Sequence, residues 1–516
     1  MLGGAASARP EPSRQSRDAT VLIMGRVLST ASDALLPLII VRLLGKAEVG
    51  VLGSVLLVYQ TVALVLATGF PSALMYQLPG RALDERRAIA RSMAAGLFGF
   101  GAVAAGLLAA TGALTSFAPE LAARLLSSAD SAVTRGGLDY LFLLAAFPLG
   151  DLPARMLPNL LVIEGRAGAA ARFAVAKSVG NALFVLVPAS IGLGIHAVIF
   201  SYSLFGLAQG AVLLYYLRAL YAGTRPIRSP VTFNETVKFA LPLGATDIIS
   251  QLSSRFDRYL VAGSFSAAMF AEYHVGAFQI PILTTVAYSI GAAYTPTFTE
   301  LIRADKAREA IALWRGTIEK TALIVVPLSA VFVIAAEPFM ELLFTKDYSH
   351  AASVFRWYAL ATAGRVAAFG TVIVAAGKPR LLLRAGLITL ALNAAFSLVG
   401  LHLLGFEGPA AGACAAFIPT VIAYCYYIAQ ATGLKTREIF PALAYLKVAA
   451  LTAVAILPAL AFERLVDAPA ALEVVAVACL VLAAFILLGR ISGLITAADL
   501  AFLKQRVSRG GSERRE

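Results

Sequence analysis

Asp247, Gln251, Ser254 and Arg258 follow one another at intervals of four, three and four residues, with Arg255 between the last two. At about 100° per helical residue, Gln251, Ser254 and Arg258 fall about +40°, −20° and +20° from Asp247, and Arg255 about +80°. A helix here therefore carries five polar groups on one face over roughly three turns, with Asp257 on the adjoining edge. Arg26, Ser29, Thr30 and Asp33 form a second such stripe, spread over about 100°. Guanidinium groups bind phosphate and carboxylate oxygens through paired hydrogen bonds, so this is the chemistry of anion recognition.

Both stripes sit in apolar surroundings. An ionisable side chain at the centre of a bilayer costs about 2.5–3.5 kcal/mol on insertion scales, so it faces protein or a water-filled cavity. For the stripe at 247–258 the bland alternative is a charge cluster that pins a helix end near the membrane surface, where long basic side chains reach water easily. For Arg26 and Asp33 it is an ion pair with a neighbouring helix. Cavity lining is the expectation for both. Among the single groups, Lys177 is expected to extend to the near membrane face, Arg365 is open between cavity and helix contact, and Asn181 and Asn393 are expected to bond between helices. Pro71, Pro281 and Pro296 are expected to bend their helices for packing. A site for organic cations would need unpaired carboxylates. Asp33, Asp247 and Asp257 each have a basic residue on or near their own face.

The elements that hold these residues follow from composition. Of 516 residues, 59% are hydrophobic and only 14% charged, against about a quarter charged in soluble proteins. Apolar runs of about 20 residues recur along the chain, each long enough to cross a ~30 Å hydrocarbon core. The class is an all-α polytopic membrane protein with about 14 transmembrane helices, expected at 18–44, 50–78, 90–116, 137–162, 169–192, 195–220, 236–262, 267–297, 321–344, 353–376, 381–404, 409–430, 443–462 and 470–489. Cys414, Cys425 and Cys479 lie in apolar runs without disulfide or metal spacing, and the four histidines form no ligand cluster. Basic residues set the orientation. With the N-terminus cytoplasmic, 28 lie in inside segments and 6 in outside segments, the bias that places both termini in the cytoplasm. The net charge of +13 is thus a topology signal, and no nucleic-acid binding is expected.

An internal repeat orders these helices. At an offset of 212, Val162, Gly165, Arg172, Asn181, Ala182, Phe184, Leu186 and Val187 match Val374, Gly377, Arg384, Asn393, Ala394, Phe396, Leu398 and Val399, eight identities over twenty-six positions. Arg166 also faces Lys378. Because each copy holds an even number of spans, the copies run in parallel, related by an axis along the membrane normal. The expected organisation is a disordered leader at 1–17, which is not a cleavable signal peptide, then a six-helix lobe at 18–220 and a linker at 221–235. A second six-helix lobe follows at 236–430, then two further helices at 443–489 and a basic tail at 490–516.

Two local patterns point to a family. Arg42-Leu43-Leu44-Gly45-Lys46-Ala47-Glu48-Val49-Gly50 closes the first span. Arg255-Phe256-Asp257-Arg258-Tyr259-Leu260-Val261-Ala262-Gly263, with Glu272 and Gly276 beyond, closes the seventh. With Gly69-Phe70-Pro71 and the two-lobe plan, the chain resembles the Wzx-type polysaccharide flippases of the multidrug/oligosaccharidyl-lipid/polysaccharide (MOP) exporter superfamily. The resemblance implies alternating access of two lobes that carries undecaprenyl-diphosphate-linked oligosaccharide to the outer leaflet for surface polysaccharide synthesis. Arg26, Arg255, Arg258, Gln251 and Ser254 would then hold the diphosphate or acidic sugars. Asp33, Asp247 and Asp257 would serve as coupling groups or charge partners, driven by an H+ or Na+ gradient or by membrane potential, with no bound cofactor or metal. A monomer working beside a polysaccharide polymerase and glycosyltransferases is expected.

Two alternatives keep the fold: a cation-coupled multidrug exporter and a lipid II flippase. A polytopic polymerase, ligase or glycosyltransferase is disfavoured, because the longest outer loop, 117–136, holds Glu120, Arg124, Asp130 and Arg135 without a catalytic pattern. No enzymatic activity is expected.

Overall fold

The computed structural model describes residues 12–117, 138–280, 283, 294, 297–348 and 350–494, and among these every regular element is helical. The outer loop and most of the eighth span, with Pro281 and Pro296, lie outside the described residues, as do 1–11 and 495–516. The chain divides into two compact units, Met1–Glu272 and Tyr273–Glu516.

In the first unit the main elements are α1 (Pro12–Leu43), α2 (Lys46–Ala67), α3 (Phe70–Gln77), α4 (Leu83–Phe117), α5 (Phe147–Ala154), α6 (Leu157–Ile163), α7 (Ala167–Ser190), α8 (Gly194–Leu220) and α9 (Phe233–Ser264), and the boundary between the units falls within α10 (Ala267–Gly276). α1 opens at Pro12, so its first residues belong to the leader expected to be disordered; a proline at the first helical position gives up only an N–H that would have had no partner. Thr232 and Glu235 open α9 with a reciprocal capping box, which satisfies two of the otherwise unpaired N–H groups at the helix start.

Ten of the described helices are long and apolar enough to cross a membrane, against fourteen expected spans, and the shortfall has local causes. Pro148, Pro153 and Pro158 cut the fourth span into short helices, because proline lacks the amide donor and its ring crowds the preceding turn. α9 is long enough but too polar, with Ser, Thr and Gln among its apolar residues as well as charged groups. The eleventh and twelfth spans form one helical stretch, Pro379–Thr432, broken by short turns. The eighth lies mostly outside the described residues. The ninth starts at Ala307 rather than 321, since its first, polar turns are helical without being apolar.

In the second unit, helices Ala307–Ile334, Ala351–Gly364, Phe369–Ala375, Pro379–Leu404, Phe417–Thr432, Ala442–Ala455 and Ala470–Ile491 enclose a core around Trp314, Ile318, Val325, Ile373, Ile428 and Phe485. The repeated segment takes one local form in both units. Gly165 and Gly377 have φ of +69° and +67°, and each donates its N–H to the carbonyl three residues back, Val162 and Val374, at 3.0 and 2.9 Å. Arg166 and Lys378 then reach back five residues, to Leu161 and Ile373. This is a glycine-centred C-terminal cap, which serves the last carbonyls of one helix and turns the chain into the next.

The first unit is tied together by close backbone approaches. α2 breaks at Gly69, whose φ of +89° starts α3, and a Cβ there would stand 2.2 Å from the Ala240 carbonyl oxygen of α9. The break continues into Pro71, whose carbonyl accepts the Asn159 amide at 2.7 Å. The segment after α8 is bound down as well. Arg87 donates to the carbonyl and hydroxyl of Thr224, the Arg225 N–H to Asp84 at 2.9 Å, and Tyr221 to Glu164 at 3.0 Å. Burial, and then the neighbouring Glu164 carboxylate, push the Tyr221 phenol well above its ordinary pKa.

Gly80 tests the Gly69 contact. It has the same left-handed backbone, φ +79°, but its Cβ would meet nothing within 4 Å. Gly80→Ala is expected to cost only the conformational penalty of roughly 1–2 kcal/mol. Gly69→Ala adds an overpacking cost of about 1–3 kcal/mol. Thermal unfolding of the two variants in detergent checks the difference, and equal losses would contradict the contact.

Candidate functional site

α5 brings Asp151 and Arg155 into the interior of the first unit, one turn apart. The Asp151 side chain is 4% exposed and pairs with Arg155 at 2.9 Å and with Lys177 of α7 at 2.8 Å. Tyr59 of α2 donates its hydroxyl proton to the same carboxylate. The Tyr59 oxygen also receives Arg155 at 3.5 Å, and the guanidinium lies 6.0 Å from the centre of the Tyr59 ring, within cation–π range. One carboxylate thus collects two cations and a phenol from three helices. The ten residues from Ala167 to Lys177 and the thirteen from there to Ser190 place the Lys177 backbone about 15–20 Å from either helix end, near the middle of a helix long enough to cross a membrane.

The α9 stripe approaches this cluster. Arg255 donates to Gln60 Oε1, one residue after Tyr59, and Tyr259 and Thr61 share a hydrogen bond of 2.7 Å. Arg255 lies close enough to Arg258 and to Arg155 to be repelled by each. Asp247, Gln251 and Ser254 are exposed, Arg255 and Arg258 half-buried, and Asp257 buried. On α1, Asp33 accepts the Ser178 hydroxyl, and Ser178 lies next to Lys177. Ser29 returns its hydroxyl to the Arg26 carbonyl at 3.0 Å. Arg26 is exposed. Gly25, whose Cβ would come 2.7 Å from that of Ala171, lets α1 lie directly against α7.

The structure therefore brings Arg255 together with groups from α2 and α5, and places Asp33 beside the α7 segment that holds Lys177. It leaves Arg26 and Asp247 exposed without an ion pair among the described residues. Lys177 does not extend to the membrane face as expected; it turns inward because a buried carboxylate in hydrocarbon surroundings attracts it more strongly than distant water does. Asn393 accepts from Ser397 of its own helix at 3.0 Å, and Ser397 also donates to the Pro409 carbonyl at 3.2 Å. Asp151, Arg155 and Tyr59 were missed by sequence reasoning. Their signal was a carboxylate and a guanidinium four residues apart in an apolar segment, hidden by prolines that break the helical period. Among the described residues no group of three or more metal-ligating side chains occurs.

Cysteines at 247, 251 and 254 are expected to react with membrane-impermeant thiol reagents, and one at 249, on the packed side of α9, much more slowly. Equal labelling at all four positions would remove the polar face.

The helical arrangement is shared with solved structures of membrane transporters. An inward-closed structure of the lipid II flippase MurJ shares it at a TM-score of 0.68 and 13% identity, over 92% of this chain and 98% of that one. So does an inward-facing multidrug resistance MATE family transporter of the MOP superfamily, at 0.55 and 16%, over 79% and 94%. A MOP superfamily transporter from Pyrococcus furiosus, described as having a binding pocket of reversed polarity, follows at 0.52 and 16%, over 82% and 95%. A family model described as polysaccharide biosynthesis protein matches residues 166–353. No curated protein sequence matches the chain.

Proposed function

We propose that the chain is a flippase that moves polyprenyl-diphosphate-linked oligosaccharide from the inner to the outer leaflet of the bacterial cytoplasmic membrane, by alternating access of its two lobes, for surface polysaccharide synthesis. The observation that carries this reading is the excess of cation at membrane depth. Arg155, Lys177 and Arg255 outnumber the buried Asp151 carboxylate, and such a wall attracts an anionic head group while the polyprenyl tail stays in lipid. It weighs against a cation exporter, since the cluster's own carboxylate is already neutralised. The fold shared with MurJ supports a second cargo, lipid II, which carries the same diphosphate. An ion gradient or the membrane potential would drive the cycle, with a polymerase and glycosyltransferases acting on either side of it. The working unit is a monomer with both termini in the cytoplasm.

The test is reconstitution into vesicles holding polyprenyl-diphosphate-linked oligosaccharide in one leaflet. Protein-dependent exposure of the sugar to a lectin on the other side is expected, with no movement of uncharged polyprenol-linked sugar. Movement of lipid II in preference would support the second cargo; movement of neither would overturn both.

A further inference from the structure

Asp151 closes a cluster whose charges do not cancel. Arg155 and Lys177 supply two positive charges to its one negative charge. Arg255 adds a third positive charge and is bonded to the neutral Gln60 amide. Counting Asp33, which bonds Ser178 rather than either cation, leaves one positive charge over. Exposure follows the same asymmetry. The carboxylate is 4% exposed, whereas the Arg155 and Lys177 side chains are 33% and 35% exposed. Asp151 uses both oxygens on the two cations and also accepts from Tyr59, so it is saturated. The cations are not saturated. Lys177 has three donors and spends one on Asp151; Arg155 has five and directs two nitrogens at Asp151 and Tyr59.

Resting on the flippase reading, we propose that Arg155 and Lys177, held in place by Asp151 and Tyr59, form an anion-binding subsite for a phosphate or carboxylate group of the cargo, beside the contacts made by Arg255. Asp151 acts as a positioning residue. It lowers the cost of keeping two cations at mid-membrane depth and points their remaining donors toward the exposed side. A purely structural ion pair would need one cation. The second cation, and the third brought by Arg255, are explained by an anion that arrives from outside the fold.

The experiment uses the full chain purified in detergent, with inorganic diphosphate and glucuronate as probes at low salt, read by calorimetry. The triple variant D151N/R155Q/K177Q removes all three charges but keeps polar side chains at each position, so no charge is left buried and unpaired. Its affinity for at least one probe is expected to fall about tenfold or more. A fall of less than threefold for both probes overturns the subsite. A second readout needs no variant: diphosphate should protect Lys177, but not the exposed Lys447, from an amine-modifying reagent, as mapped by mass spectrometry. Unprotected Lys177 also overturns it. R255A separates the two proposals. If it stops lipid-linked sugar transfer while the triple variant binds both probes like the parent, the flippase reading stands and the subsite falls. Binding lost in the triple variant with no sugar transfer by the parent protein leaves the subsite and removes the flippase reading.

Discussion

Replacing Arg255 and Arg258 together with alanine is expected to abolish surface-polysaccharide export while the protein still inserts and folds. The two residues share the α9 face with exposed Gln251 and Ser254, and Arg255 meets α2 through Gln60. A hydrogen bond to a charged group is worth about 1.5–3 kcal/mol, so losing one such contact to an anionic cargo lowers affinity roughly tenfold to a hundredfold. Losing both removes the attraction that draws the head group off the membrane surface. R255K should keep part of the activity, because a lysine retains the charge but loses the guanidinium fork. Export is measured as surface polysaccharide in cells, with the amount of inserted protein followed in parallel. Unchanged export in the double variant would sink the assignment of this face to the cargo.

The second large effect is on stability. Asp151→Ala removes the buried carboxylate that the half-buried Arg155 and Lys177 share, and breaking a fully buried pair costs about 3–5 kcal/mol, an upper bound for cations that keep access to solvent. That is a large share of the roughly 5–15 kcal/mol that holds a domain folded. A sharp drop in thermal unfolding temperature, or little protein recovered from the membrane, is the expected outcome. The uncharged triple variant should recover most of the loss, since the damage comes from unpaired charge rather than from the missing side chain. Equal instability of the single and triple variants would show that shape, not charge, makes Asp151 necessary.

Much of the architecture was legible in the residues. The apolar runs declare a helical membrane protein, because a backbone in hydrocarbon must satisfy its own hydrogen bonds and a helix does so locally. The echo at offset 212 was legible too, and Gly165 and Gly377 prove to make the same left-handed cap. The polar face of α9 followed from spacing alone, since helical periodicity is a property of neighbours in the chain.

Pairings across distance were not legible. Nothing local links Lys177 to Asp151, Arg255 to Gln60, or Gly69 to Ala240, which are 26, 195 and 171 positions apart. In the sequence Lys177 is a lone cation in an apolar run, for which the membrane surface is the cheapest partner; only the packing of α5 against its neighbours supplies a nearer one. Asp151 and Arg155 lay between prolines that erased the helical period, so no stripe announced them. Sequence by itself determined that this is a helical membrane protein and which helix faces are polar, because those depend on composition and local spacing. Tertiary structure decided which charges meet, because a buried ion pair depends on distance in space, and in a membrane that distance separates a costly isolated charge from a stable binding group.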